Sequence, residues 1–297
     1  MAKIENVQFI IPVTGQSYTD VRPVISGDSW EDISMTASEV AYGVGNEKMG
    51  DVLSKNKKRR TEAPVSSQRI CFGEDCAYFD SATHTYTDDE GNEYLSGSVF
   101  AHKFAKEFPR ESIALKSAAK KGVDPAQILE GWDSKGEVSM LWGSTVHKAI
   151  ETMIKYEEEV NDPHLQAIVA DLWEQLPEEN KFAEVFVCDN EEHLCGFIDC
   201  MVQIEGKDCR IYDWKTGDIY KRVSLTDEAK ELFPDLKQQT VSLYYMQLNF
   251  YRYILEKKGY NVKGMSIWAL ADEHWTEVEV PKMDIDKALE AVWKSQK

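Results

Sequence analysis

Residues 193–217 read HLCGFIDCMVQIEGKDCRIYDWKTG, and the placement of charge within these apolar runs decides the fold. Two apolar stretches flank the polar turn at residues 205–208, the pattern of two strands joined tightly. Side chains alternate across a strand, so Ile198, Cys200, Val202 and Ile204 share one face and can meet the core. Asp199 then projects from the other face with Phe197 and Met201. In the second strand Asp213 and Lys215 share a face, with Tyr212 and Trp214 opposite. Pairing as a hairpin brings Asp199, Asp213 and Lys215 to one end of a sheet. Charges among apolar strand residues are costly unless they pair or hold a metal.

Working outward, THTYT (83–87) and EYLSGS (93–98) flank the turn-rich DDEGN and predict a β-hairpin. Ser96 or Ser98 can cap a helix through SVFAHKFAKEF. ESIALKSAAKKG predicts a second helix stopped at Gly122. Residues 123–139 predict a further short helical stretch. Val146, Ile150, Met153 and Ile154 have helical spacing, placing His147 and Glu151 on one face. Residues 163–176 predict a helix and residues 181–189 a strand. Beyond the central strands, residues 218–236 are irregular, and residues 236–260 make a long helix stopped at Gly259. Residues 265–272 and 274–281 form another strand pair, with a last helix from about Asp284. The order predicts an α/β core, a mixed central sheet flanked by helices.

With 42% apolar and 11% aromatic residues in 297, the chain can bury a sizeable core. It has no run of 18 apolar residues, the length that spans a bilayer, and no signal peptide at its start. A reducing, cytoplasmic location is expected, or the host cytoplasm were the chain viral. The six cysteines lack zinc-site spacing and are expected as buried free thiols. The formal charge of −18 runs against a nucleic-acid binder, because phosphate neutralisation dominates that affinity. The charge is uneven, however: Lys103, Lys106, Arg110, Lys116, Lys120 and Lys121 crowd one short segment, and residues 55–60 read KNKKRR. Residues 1–80 read as an N-terminal extension of open role.

Two carboxylates can hold Mg²⁺ or Mn²⁺ and leave positions for water and phosphate oxygen. A nearby lysine can orient that water and offset transition-state charge. D-x-K alone is weak, since Asp133–Lys135, Glu228–Lys230 and Glu256–Lys258 repeat it in loops or helices. An ordinary salt bridge at a strand end is the bland alternative.

The neighbours add weight. GSTVHKAIE, GFID, DWKTG and QLNFY, in that order over residues 143–251, resemble the motifs of the PD-(D/E)xK nuclease superfamily, in particular its RecB-type branch. The resemblance implies a restriction-endonuclease-like core over residues 81–297. It implies His147, Asp199, Asp213 and the Trp214 backbone carbonyl as metal ligands, and Lys215 as the catalytic lysine. Gln247 and Tyr251 would contact the DNA backbone or brace the lysine, and Glu151 and Glu184 would support the metal. Ile198 stands where the superfamily's name has proline. Some RecB-type members hold an iron–sulfur cluster, but no cysteine follows Cys209 here, so no cluster is expected. Without a G-x4-GK[ST] motif, no nucleotide is expected either. The function so implied is a Mg²⁺- or Mn²⁺-dependent DNA exonuclease of recombination, repair or phage DNA processing, with DNA as substrate, a recombination or replication protein as its expected partner and no membrane. The alternatives are a nuclease-fold binding module with suppressed activity, and a structure-specific or RNA endonuclease.

Overall fold

The computed structural model describes residues 68–80 and 83–295, together with the backbone of strands β1 (Lys3–Ile11) and β2 (Gln16–Val24). These two pair antiparallel, a hairpin that sequence reading did not anticipate. KNKKRR lies outside the described residues. Strands β3 (Gln68–Phe72), β4 (Asp75–Asp80) and β5 (Thr85–Thr87) form a small antiparallel sheet.

The main sheet is mixed, as expected. Strand β8 (Leu194–Glu205) is its axis. Along one edge β7 (Lys181–Asp189) runs antiparallel from Lys181↔Val202 to Asp189↔Leu194. The other edge is divided. Strand β9 (Asp208–Lys215) pairs antiparallel from Glu205↔Asp208 to Cys200↔Tyr212, while β6 (Leu95–Ser96) pairs parallel with Leu194 and Cys195. Residues 196–199 fall between the two partners. Strand β10 (Asn261–Ala271) adds to β9 in parallel, and β11 (His274–Glu279) closes the edge.

Helices cover both faces. Ser96 caps α1 (Gly97–Lys103), its side chain accepting from Val99 N–H. Helix α2 (Arg110–Lys121) ends where Gly122 turns left-handed at φ 68°. Asp124 and Pro125 start α3 (Pro125–Tyr156), whose 32 residues run unbroken through Gly131, Gly136 and Gly143. Two separate helical stretches are expected over these residues; they join in one helix although each glycine weakens a helix interior by about 1 kcal/mol. Here Arg110 reaches across to the Leu129 carbonyl and Asp133, tying α2 to the arm. Helix α4 (Pro163–Gln175) and the C-terminal half of α3 pack on the tryptophan-rich face made by Trp214, Trp268 and Trp275. The opposite face is covered by α6 (Thr240–Lys257), α1 and α7 (Asp286–Ser295). A short helix, α5 (Asp227–Leu232), interrupts the expected irregular segment.

Four details differ from the sequence reading. The hairpin after Thr83 makes only the bridge Thr87↔Glu93; its second arm leaves to become β6 beside β8. Ile204 is 41% exposed: it lies at the end of β8, beyond the last β7 pair at Val202 and at the irregularity in the β9 pairing between Gln203 and Glu205. Cys71 and Cys76, neighbours across β3 and β4, are joined in a disulfide, while Cys188, Cys195, Cys200 and Cys209 are buried free thiols. Residues 68–80 also share the core, since Ile70, Phe72 and Ala77 belong to the same cluster as Phe186 and Ile254. Fully buried Asp189 locks this junction: Lys257 lies 2.8 Å and Lys258 3.6 Å from it, and Lys258 also binds Asp75. A buried carboxylate persists only with such partners. Among the described residues no helix is long and apolar enough to cross a membrane.

Candidate metal centre

The break in the edge of β8 is where the polar residues gather. Asp199 sits one step past the last β8–β9 pair, so no strand neighbour claims its backbone there. Its Oδ2 accepts from the Trp214 N–H at 2.8 Å, which aims the carboxylate along the end of β9. Across the other edge the β7 register places Glu184 opposite Asp199, between the pairs Ala183↔Cys200 and Val185↔Ile198. Glu184 has φ 53°. A left-handed non-glycine residue costs about 1–3 kcal/mol and survives where the surrounding fold enforces it.

His147 arrives from α3. Gly143, one turn earlier, faces the loop after β9; a methyl there would lie 3.3 Å from Thr216 Oγ1. The absent side chain lets the helix approach closely. His147 Nε2–H donates to the Trp214 carbonyl at 2.9 Å, leaving Nδ1 as the bare nitrogen, 3.7 Å from Asp199 Oδ2. The ligand atoms of His147, Glu184 and Asp199 all lie within 4.8 Å of one another.

Asp213 and Lys215 are adjacent but arranged differently. They pair with each other at 2.5 Å, and Lys215 Nζ rests 4.7 Å above the Tyr244 ring. Asp213 is 3% exposed. Among the described residues its Oδ2 has no hydrogen-bond partner beyond that ion pair. Glu151 is taken up on both oxygens, by Lys148 and Lys155 at 2.8 Å each.

Electrostatics make this a cage short of positive charge. Burial, then the nearby Asp199 and Glu151, push Glu184 up to about 8. Burial raises Asp213 to about 6, against the pull of Lys215. For Lys215 burial opposes the charge, but Asp213 and Asp199 outweigh it and hold the ammonium firmly protonated. Burial likewise disfavours ionised Glu151, but Lys155 and Lys148 prevail and lower its pKa. A divalent cation relieves such a cluster, and one imidazole nitrogen with carboxylate oxygens suits a hard or borderline ion.

Glu184 ionises near 4.5 when unfolded and near 8 when folded, so metal-free protein loses stability as pH rises between these values. With chelator present, Glu184→Gln should flatten that slope in melting temperature; an unchanged slope would exclude Glu184 as its source.

The cluster opens into a cleft of about 580 Å³. Gln247 and Tyr251 of α6 line it, Gln247 Nε2 donating to Tyr251 Oη at 3.2 Å. The Tyr251 ring is packed close against two glycines. A methyl at Gly97 would meet it at 2.6 Å, and one at Gly196 at 2.7 Å. Gly196→Ala should therefore displace Tyr251 and lower stability by about 1–3 kcal/mol, read by denaturant titration; a neutral result would show that the ring moves freely.

Of the expected residues, then, the fold brings together His147, Asp199, Glu184, Gln247 and Tyr251 on the cleft, with Asp213 and Lys215 paired beside them. The Trp214 carbonyl, expected as a ligand, accepts from His147. His84, Tyr86, Ser96 and Ser98 also line the cleft, from the stretch that runs from just before β5 into the first turn of α1; sequence reading missed them as site residues, since isolated polar residues in so short a stretch carry no signal of their own.

A mixed sheet that brings two half-buried carboxylates, a buried one and a lysine to a break in its edge, where a helix adds an imidazole, has the makings of a metal-dependent hydrolase. The sequence profile of the PD-(D/E)XK nuclease superfamily matches residues 100–295, and the chain belongs to that superfamily. No curated protein matches it.

Proposed function

We propose that the protein is a Mg²⁺- or Mn²⁺-dependent deoxyribonuclease that degrades linear DNA from its ends. The observation that carries the nuclease reading is the trio His147, Glu184 and Asp199, within 4.8 Å of one another and beside the Asp213–Lys215 pair. The restriction to DNA ends rests on the likeness of the GFID, DWKTG and QLNFY motifs to RecB-type nucleases.

His147 Nδ1, Asp199 and Glu184 would hold the ion, with Asp213 completing the negative field. Bound there, a divalent ion polarises the phosphoryl group and lowers the pKa of its water. The chain's own residues do the rest. The Trp214 carbonyl fixes the imidazole orientation, and its N–H fixes Asp199. Lys215, kept as an ammonium, orients the attacking water and offsets charge on the pentavalent phosphorus. Asp213 and the Tyr244 ring hold that ammonium in place. Gln247 and Tyr251 offer polar atoms to the substrate backbone.

The test is digestion of end-labelled linear and circular DNA, single- and double-stranded, and of RNA, with Mg²⁺, Mn²⁺ or EDTA. Loss of linear DNA with circles spared establishes the exonuclease. Cut circles move the assignment to an endonuclease, and cleavage of RNA alone changes the substrate. No cleavage of any polymer by folded protein overturns the proposal.

A further inference from the structure

The catalytic cleft continues past Ser96 into a second pocket of about 390 Å³. The two share His84, Tyr86 and Ser96. The second pocket adds Tyr94, Val99, Lys103 and Trp293. Three features set this wall apart. Val99 is apolar yet 51% exposed. His84 is held left-handed at φ 57°, its ring edge-on to Phe79 and near Tyr86, with no hydrogen bond among the described residues. Lys103, on the same wall, is exposed and makes no ion pair among the described residues.

We propose that this pocket receives the unpaired base of a nucleotide adjoining the scissile phosphate, so that the protein acts on DNA that is single-stranded at the point of cleavage. The inference rests on the nuclease reading. The pocket lies at the small end of ligand-site volumes, roughly 300–1,000 Å³, and suits one nucleotide rather than a base pair. A base in a duplex presents only its edges, so it must leave the stack to enter. The exposed ring of His84 and the half-buried ring of Trp293 can offer a π-surface that accepts any base, which suits sequence-independent binding. Lys103 supplies the cation for a neighbouring phosphate. Glu93, the only acid among the lining residues, can accept from an exocyclic amine. Continuity through His84, Tyr86 and Ser96 puts the base pocket and the metal cluster on one path.

The experiment uses full-length protein and fluorescein-labelled DNA, in a Lys215→Ala background with Mg²⁺ so that binding is read without cleavage. Anisotropy compares a single strand, the same strand with one abasic position stepped along it, and a blunt duplex. His84→Ala and Trp293→Ala should each weaken the intact strand by about 5- to 100-fold. At one abasic position the parent should lose the same factor and the variants nothing further. Lys103→Ala should weaken all single strands alike and reduce their salt dependence. Should Trp293→Ala not fold, His84→Ala on the surface still decides. Equal binding by parent and His84→Ala, duplex bound as tightly as single strand, or no binding overturns the pocket. Cleavage by the unmodified protein is scored separately: if it persists unaltered by His84→Ala and Lys103→Ala, the pocket fails while the nuclease stands. If the unmodified protein never cleaves, the nuclease reading fails.

Discussion

Lys215→Ala should reduce metal-dependent phosphodiester cleavage by about 10²–10⁴-fold, the range for losing a charged group that acts on the transition state. The geometry makes the side chain hard to replace. Its ammonium is held between Asp213 at 2.5 Å and the face of Tyr244 at 4.7 Å, which leaves it little freedom to lose when it orients a water. Lys215→Arg should not rescue activity, since a planar fork cannot occupy a site shaped for a point charge. Stability responds less than activity. Removing one partner of a buried pair costs about 3–5 kcal/mol if the other stays charged. Asp213 already titrates near 6 and can take up a proton once Lys215 is gone. Rates on end-labelled DNA and melting curves with and without Mg²⁺ separate these effects. A variant that cleaves at the unmodified rate would remove Lys215 from the mechanism.

Asp199→Asn should move activity and stability in opposite directions. Activity should fall by on the order of 10³-fold, because the trio loses one anionic ligand and the transition state its compensation. Calorimetric Mn²⁺ binding should weaken in parallel. Metal-free stability, however, should rise. The Asn carbonyl can still accept from Trp214 N–H, as Asp199 does at 2.8 Å. Meanwhile the charge that helps hold Glu184 near 8 is removed. Glu184 then ionises at lower pH, and the loss of stability below pH 8 shrinks. A residue whose loss damages activity and helps the empty fold is serving the ligand and not the scaffold. An Asp199→Asn protein that is less stable and fully active would assign Asp199 to structure.

Much of this was legible from local pattern. Asp199, Asp213 and Lys215 stand out because each is a charge in an apolar strand, and strand alternation fixes which side it takes. His147 stands out only through the resemblance of GSTVHKAIE to the superfamily's motifs, helical spacing adding that it shares a face with Glu151, while a cap at Ser96 or Ser98 and the stop at Gly122 follow from the chemistry of helix ends. Less legible was the helical arm, because three glycines argue for a break that contacts from Arg110 override. The division of labour among the acids was also hidden. Glu184 and Asp199 are 15 residues apart, and only the antiparallel register of β7 and β8 sets them face to face. Glu151 shares a helix face with His147, yet two lysines on that same helix occupy it.

Hydrophobic period and capping act over a few neighbours, so local pattern gives most of the elements from about residue 84 onward and their order, but not the undivided α3, the short α5 or the departure of β6. Tertiary structure alone decided which charges meet. Strand β8 hands its edge from β9 to β6, and the open stretch between them admits Asp199, the Tyr251 ring over Gly196, and the imidazole of His147. Burial there raises Glu184 and Asp213. Desolvation depends on what every other segment packs against the site, and no local stretch of sequence carries that information.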